Sequence, residues 1–356
     1  MKKKVMVGMS GGVDSSVTAL LLKQQGYDVT GVTLKLRPDK YETGITDGGC
    51  SSNKDINDAK IVADKIGIEH MVVDFTDIFE EKVISNFVNE YCNGRTPNPC
   101  VVCNKYLKFG AMFDLAMSLG YDFVATGHYA FVEFDENNNR WVLKQAESIK
   151  DQSYVLYNLT QEQLKHILFP LSGIDKTETR KIAEKYELPV AQKPDSQEIC
   201  FIKNGNYVDF IKKYFNKNIS KGNFVDRNGN VLGTHNGILN YTIGQRKGLG
   251  VTFGKPMYVI GIDAKNNNVI LGEEGEQYSN ELFAENLNFI PFEKLTNELE
   301  VMAKIRYQAK PEKAIISPVS DDKIKVIFEK KQRSITPGQS IVFYDGNQVI
   351  GGGTII

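Results

Sequence analysis

The segment Gly8-Met9-Ser10-Gly11-Gly12-Val13-Asp14-Ser15-Ser16 follows directly on an apolar run, Val5-Met6-Val7, and leads into the amphipathic stretch Val17 to Gln25. A buried strand, a tight Ser/Gly turn and a helix start make an anion site, because unpaired backbone N–H groups and the helix dipole point at whatever sits there. A phosphate chain is the expected guest. Gly11 and Gly12 let the backbone approach it and adopt positive φ, Ser10 and Ser15 offer hydroxyl donors, and Asp14 can hold Mg²⁺ or a backbone amide. No Walker lysine is present, and a glycine-rich turn without a ligand is the plain alternative. A second group is Thr96-Pro97-Asn98-Pro99-Cys100-Val101-Val102-Cys103-Asn104-Lys105, with Pro194-Asp195-Ser196-Gln197-Glu198-Ile199-Cys200-Phe201 further along. Prolines set both segments as rigid loops rather than continuous helices, which holds their thiols in place.

These residues need a scaffold, and the first 130 residues supply alternating strands and helices. Tyr27 to Leu36 is a β-branched strand. Ile56, Ala59, Ala63 and Ile66 have helical spacing closed by Gly67, and His70 to Phe75 is another strand. Asp77 to Tyr91 and Phe109 to Leu119 read as helices, and Phe123 to Thr126 as a strand. This alternation predicts an α/β fold with a doubly wound parallel sheet, whose ligand site lies at the carboxyl ends of the strands. The Ser/Gly loop, Leu34 and Gly127-His128 all fall at such ends. A hairpin around Asn137-Asn138-Asn139 follows, then helices over Gln161 to Leu168 and Thr177 to Tyr186.

Beyond residue 205 the texture changes. Gly222 to Glu274 is dense in Gly and Asn, with short alternating strands and turn signals at Asn228-Gly229 and Asn236-Gly237. From Leu282 onward, Val301 to Tyr307, Ala314 to Ser317, Lys325 to Phe328 and Ser340 to Tyr344 fit a small antiparallel barrel. The predicted domains are therefore 1–205, a catalytic nucleotide-binding domain, 206–280, a small loop-rich β domain, and 281–356, a C-terminal β-barrel. A chain of 356 residues suits two or three such cores.

Composition is that of a globular protein, 41% apolar and 24% charged. No run of about 18 apolar residues exists, so no membrane span is expected. Met1-Lys2-Lys3-Lys4 is not followed by a signal-peptide core, which predicts a cytoplasmic location. There, five cysteines are expected to be reactive or metal-binding rather than structural disulfides. A net charge of −1 gives no global attraction to nucleic acid, so any RNA contact must come from local basic patches. In the last 76 residues basic and acidic side chains balance. Lys304, Arg306, Lys310 and Lys313 still cluster, and Lys330-Lys331-Gln332-Arg333 forms a second patch, each of which also reads as an ordinary solvated face. The stretch Asp39 to Ser52, rich in Gly and polar residues, reads as a mobile loop.

Ser10-Gly11-Gly12-Val13-Asp14-Ser15 resembles the PP-loop of the ATP pyrophosphatases, which split ATP between its α and β phosphates and adenylate a carbonyl oxygen. With the two cysteine segments, Gly127-His128-Tyr129, Lys150-Asp151-Gln152-Ser153-Tyr154, Tyr241-Thr242-Ile243-Gly244-Gln245-Arg246-Lys247-Gly248 and Lys304-Ile305-Arg306-Tyr307, the likeness covers essentially the whole chain. It is to the tRNA-specific 2-thiouridylases. That resemblance implies ATP and Mg²⁺ as cofactors, bound at Gly8 to Ser15, Leu34 and Gly127, with Cys103 as nucleophile and Cys200 as persulfide carrier. It implies the anticodon stem-loop of tRNA as substrate, its target base met by Asn98-Pro99-Cys100 and its other contacts made by His128, Lys150, Asp151, Gln152, Arg306, Tyr307 and Gln339. A cysteine desulfurase or a sulfur-carrier protein would feed Cys200.

The chemistry explains two thiols. O2 of a uracil ring is a poor leaving group until it attacks the α phosphate, after which AMP departs and sulfur can enter. If the persulfide sulfur of Cys200 attacks the activated carbon, Cys103 must cleave the sulfur–sulfur bond by exchange. Alternatively Cys103 attacks first and releases hydrosulfide. Both orders end in a Cys103–Cys200 disulfide that must be reduced. Both thiols need lowered pKa values, for which Lys105, Lys193 and loop amides are candidate causes. Many members carry aspartate where Cys100 stands. Cys100, Cys103 and Cys200 thus form an alternative ligand set for a [4Fe-4S] cluster that carries sulfide, whereas zinc would lack a fourth ligand. Cys92 reads as a packed thiol, and Cys50 has no assigned role. His128 also reads as a hydrogen-bonded core histidine. Two other functions fit parts of the pattern: a PP-loop ligase or amidotransferase on a small substrate, with dispensable cysteines, and a non-catalytic ATP- and RNA-binding module.

Overall fold

The computed structural model describes residues 2–38, 52–195, 199–202, 206–215, 220–251 and 254–356. Cys50, the loop expected from Asp39 to Ser52 except for Ser52 itself, and Ser196-Gln197-Glu198 lie outside them. Two compact units form: Met1–Val83 with Cys100–Gly205 and Asn347–Val349, and Ile84–Pro99 with Asn206–Gly346 and Ile350–Ile356.

The first unit is built on β1 (Lys4–Gly8), β2 (Asp28–Lys35), β3 (Glu69–Asp74), β4 (Phe123–Ala125), an antiparallel hairpin of β5 (Ala130–Asp135) and β6 (Arg140–Gln145), and β7 (Ile167–Leu168). Its sheet is parallel throughout, in the order β3-β2-β1-β4-β7. Val5, Met6 and Val7 of β1 are fully buried, as expected for a central parallel strand covered on both faces. Helices α1 (Val13–Gln24), α2 (Asn53–Ile66), α3 (Thr76–Phe79), α4 (Ser85–Cys92), α5 (Pro99–Cys103), α6 (Met112–Ser118), α7 (Gln161–Lys165), α8 (Lys176–Lys185) and α9 (Tyr207–Phe215) follow in chain order, α4 and α9 in the second unit. The sheet order reverses at β1, with β2 on one side and β4 on the other. That reversal is where open α/β sheets bind ligands, and the Ser/Gly loop and Gly127 end the two strands that flank it.

Three expectations need correction. The helices expected over Asp77 to Tyr91 and Phe109 to Leu119 contain π-helical turns at Glu80–Ile84 and Asn104–Ala111. The helix expected over Gln161 to Leu168 stops at Lys165, because Ile167 and Leu168 pair with Val124 and Ala125 as the edge strand. A two-residue strand leaves no periodic signal. The first cysteine segment is not a loop throughout. Pro99 opens α5, the one helical position where a missing N–H costs nothing, so Cys100 and Cys103 stand on one helix.

In the second unit β8 (Gly222–Val225), β9 (Val231–His235), β10 (Tyr258–Asp263) and β11 (Asn268–Gly272) form a sheet in the order β10-β11-β8-β9. It packs around Phe224, Tyr241, Val259, Val269 and Leu271. Then β12 (Tyr278–Phe289), β13 (Leu299–Lys304), β14 (Glu312–Ser320), β15 (Lys323–Arg333), β16 (Ser340–Asp345) and β17 (Gln348–Ile355) run in the order β12-β15-β14-β13-β16-β17. Pairing of β12 with β17, Ala284 opposite Ile355, closes the barrel. No helix among the described residues is long and apolar enough to cross a membrane.

Candidate active site

Helix starts in the first unit differ in how they are closed. Ser52 and Asp55 form a reciprocal capping box on α2, Thr160 and Gln163 do so on α7, and Asp175 caps α8. Gly12, the N-cap of α1, offers no side chain, and among the described residues no side-chain bond caps this 12-residue helix, so its start is suited to receive an anion. The loop is shaped for this. Met9 N–H donates to Val32 O (2.7 Å), Thr33 Oγ1 donates to Met9 O (2.8 Å), and Ser10 N–H donates to Ser15 Oγ (3.1 Å). Gly11 alone of the glycine pair has positive φ, +69°, and a Cβ there would lie 2.3 Å from Asp55 O. Gly12 is extended at φ −100°, contrary to the expectation of positive φ at both. Gly127 lies against the same helix start, where a Cβ would meet Ser15 N at 2.8 Å. Leu34 is buried on β2.

An ion-pair network surrounds the loop. Asp14 Oδ1 accepts from Lys176 Nζ (2.7 Å) and from the Tyr129 hydroxyl (2.8 Å). Burial, then the Asp14 charge, push the Tyr129 phenol far above its ordinary range, so it remains a donor. Lys176 also reaches Asp195 (2.8 Å), as do Arg180 (2.9 Å) and, at 3.6 Å, Lys150. Burial raises the Asp195 carboxyl, but the bond and charge of Lys176, with Arg180 and Lys150, hold it below its usual value. Lys193 donates to Gly11 O (2.9 Å), Asp55 (2.7 Å) and Asp58 (2.6 Å). Burial disfavours its charge, yet the bonds to the two carboxylates outweigh this and leave its pKa above the lysine value. Arg180 Nη1 donates to Ala191 O and Lys193 O, which pins the 191–195 segment to α8.

Two expectations change here. Asp14, expected to hold Mg²⁺ or a backbone amide, carries an ammonium and a phenol on Oδ1. Lys193, expected to lower a thiol pKa, is committed to the phosphate loop and α2.

The thiols differ in placement. Cys100 is exposed, and Cys103 and Cys200 are half-buried. Asn104, next to Cys103, is buried and donates to Val155 O (3.1 Å). The Cys200 carbonyl accepts a hydrogen bond from the buried Arg37. Phe201 sets its ring 5.7 Å from Phe79 of α3, and the turns starting at Asn104 also pack on α3. Both cysteine segments therefore meet one short helix. Among the described residues no group of three His, Cys, Asp or Glu is arranged to hold a metal, so the cluster considered from sequence on Cys100, Cys103 and Cys200 is not shown. Lys105 Nζ lies 5.4 Å from the Tyr106 ring centroid.

Residues expected to touch RNA have definite partners. His128 is buried, 7% exposed, with Nδ1 2.7 Å from Thr126 Oγ1 and Nε2 3.4 Å from Lys108 Nζ. Burial, with Lys108, lowers its pKa well below the ordinary value, so it is neutral. Asp151 accepts from Ala146 N–H (3.0 Å) and the Ser153 hydroxyl (2.9 Å), and Gln152 Oε1 accepts from Tyr129 N–H (3.1 Å). Lys150 is exposed. In the second unit Asn98 is half-buried and Pro99 buried, Arg306 Nη2 donates to Arg333 O (3.2 Å), Tyr307 is exposed, and Gln339 is bonded to Thr96 and Pro97. Sequence reasoning missed Lys176, Arg180, Asp55 and Asp58. Lys176 and Arg180 are one turn apart on a polar helix, the spacing that could have marked a shared face.

An uncapped glycine-rich helix start at the switch point of a parallel sheet, ringed by lysines and arginine, defines a nucleotide-binding α/β enzyme class. Three family descriptions match the chain in series: tRNA methyl transferase HUP domain over residues 3–204, tRNA methyl transferase PRC-barrel domain over 208–273, and aminomethyltransferase beta-barrel domain over 279–355. Among curated relatives, tRNA-specific 2-thiouridylase MnmA of Acetivibrio thermocellus is 54% identical over 356 residues, 99% of each chain. That of Clostridium acetobutylicum is 56% identical over 100% of each, and that of Clostridioides difficile 54% identical over 100% of this chain and 98% of its own. The chain belongs to the tRNA-specific 2-thiouridylase family and is an enzyme of that kind.

Proposed function

We propose that the protein binds ATP over the open start of α1, adenylates O2 of the wobble uridine in the anticodon loop of tRNA, and replaces that oxygen by sulfur carried on Cys200. The observation that supports this best is the network of Lys193, Asp195, Lys176 and Arg180. It joins the phosphate loop to the segment that leads into Cys200. In this reading the N–H groups at the start of α1 and the surrounding cations receive the phosphates, and pyrophosphate leaves as uridine O2 bonds to the α phosphorus. Magnesium would neutralise phosphate charge as a partner of ATP rather than of Asp14.

The persulfide sulfur of Cys200 then attacks C2, and AMP departs with the C–O electron pair. Cys103 thiolate attacks Cys200 Sγ, the sulfur–sulfur bond breaks, its electrons form the thiocarbonyl, and a Cys103–Cys200 disulfide remains. An external dithiol reduces it, which suits a cytoplasmic enzyme. In the reverse order Cys103 attacks first and hydrosulfide is the nucleophile, with the same balance. A cysteine desulfurase or sulfur carrier recharges Cys200. The division into 1–205 for catalysis, 206–280 as a connecting β domain and 281–356 as a tRNA-contacting barrel belongs to the same reading, with Lys150, Arg306 and Tyr307 as exposed contacts.

The test is incubation of purified protein with ATP, a sulfide or persulfide donor and unmodified tRNA, followed by nucleoside analysis for 2-thiouridine and quantification of AMP. Both products are expected together. Cys200→Ser and Cys103→Ser should each remove 2-thiouridine, by at least about 10³-fold, while release of pyrophosphate on adenylation of tRNA persists. Full thiolation by both variants would end the proposal. Iron-dependent thiolation after anaerobic reconstitution would replace the persulfide route with a cluster.

A further inference from the structure

We infer that Gln339 is a positioning residue: its carboxamide ties the turn before β16 to the Thr96-Pro97-Asn98-Pro99 stretch and so sets where α5, with Cys103, begins. This rests on the reading of Cys103 as a reacting thiol. Gln339 Nε2 donates to Thr96 O (2.9 Å) and Pro97 O (3.2 Å), and Thr96 N–H donates back to Pro337 O (2.8 Å). Bonds therefore cross in both directions, as in a short strand pairing. The stretch needs them. Two of its four residues are prolines, which have no N–H, so it cannot hold itself by a regular ladder, and its carbonyls depend on a donor from elsewhere. One glutamine side chain satisfies two of them.

The turn is itself fixed and close. Gly338 N–H donates to Ile355 O, Gln339 O accepts from Ile355 N–H (both 2.9 Å), and Gly338 adopts φ +90°. A Cβ on Gly338 would stand 3.0 Å from Thr96 N, Thr96 O and a Glu90 carboxylate oxygen. Pro99, buried at the first position of α5, then passes the placement into the helix, and Cys103 lies one turn on. An ångström of slack at a reacting group costs on the order of 10²-fold in rate. A residue bound to both carbonyls thus acts on Cys103 without touching it.

Two variants test this from different sides. Gln339→Met keeps length and removes the donor. Gly338→Ala keeps Gln339 and pushes on Thr96. Each should lower kcat for thiolation at least about tenfold with the tRNA KM changed less than about twofold, and the double variant should be no worse than about the poorer single one. Labelling of Cys103 by iodoacetamide, mapped by mass spectrometry in the resting protein, should change rate in both variants with Cys200 labelling unaltered. A raised tRNA KM at unchanged kcat in Gln339→Met would make Gln339 an RNA contact and overturn the inference, as would unchanged kcat and labelling in either variant. Absence of 2-thiouridine from the unmodified enzyme would instead count against the proposed function, and the labelling arm, which needs no substrate, would still decide the role of Gln339.

Discussion

Cys103 closes a helix that Pro99 begins and that runs on into π-helical turns, so its position is set by local backbone bonds and by the ties at Thr96 and Pro97. Cys200 stands after a segment held from outside by side chains: Arg180 on Ala191 and Lys193, Lys176 on Asp195, Lys193 on the phosphate loop, and Arg37 on the Cys200 carbonyl itself. The first thiol is placed by the helix it closes. The second is placed by charges, several of which also face the expected phosphates. In the proposed function a triphosphate in the loop competes for Lys176 and Lys193, and so bears on the segment before Cys200. Under that proposal the asymmetry suits Cys200 as the thiol to be loaded and Cys103 as the thiol that resolves it.

Lys193→Met is the strongest way to break the comparison. It strands the Asp55 carboxylate, whose side chain is only 6% exposed, together with Asp58 and the Gly11 carbonyl. Removing one partner of a buried pair costs about 3–5 kcal/mol. Denaturant unfolding should register that loss, and iodoacetamide labelling of Cys200 should accelerate while that of Cys103 holds. Equal changes at both thiols would show that the two segments are not separately held.

Arg37→Met is milder and sharper. It leaves the network around Asp195 intact and removes the donor to the Cys200 carbonyl, a charged hydrogen bond worth about 1.5–3 kcal/mol. Release of pyrophosphate on tRNA should persist near the normal rate while 2-thiouridine falls. If both fall together, Arg37 serves the nucleotide rather than the cysteine.

How much of this was legible in the sequence follows from what leaves a local trace. The phosphate loop, the parallel sheet and the barrel are written in short patterns: Ser10-Gly11-Gly12 after Val5-Met6-Val7, Ile56-Ala59-Ala63, and alternation along Lys325 to Phe328. The network was not. Lys193 meets Asp55, and Lys176 meets Asp14, across more than 130 residues of chain, and an exposed-looking lysine carries no mark of a distant carboxylate. Gly11 was read correctly as a positive-φ residue, yet the close neighbour that needs it is Asp55 O, invisible without the fold. The helical state of Cys100 and Cys103 was hidden because two prolines suggest a loop, although the second only starts a helix. Roles on RNA for His128 and Gln339 came from resemblance, and their contacts within the protein came from the coordinates alone.

Acid gives the smallest effect and reaches the side that nucleotide charge does not. His128 is neutral because burial and Lys108 oppose a second cation, and Lys108 belongs to the turns that follow Cys103. In the unfolded chain the imidazole titrates near its ordinary 6.5. Below that pH the unfolded state takes up a proton that the folded state refuses, so stability falls as pH falls, by up to about 1.4 kcal/mol per pH unit for each such histidine. His70 and His235 are shifted in the same direction, chiefly by burial, and add to the slope. His128→Gln should flatten the decline in unfolding free energy between about pH 6.5 and 5.5 by about one histidine's share, whatever it does to the value at neutral pH. An unaltered slope would mean that His128 is protonated in the folded protein beside Lys108, and that the turns after Cys103 accommodate charge as readily as the segment before Cys200.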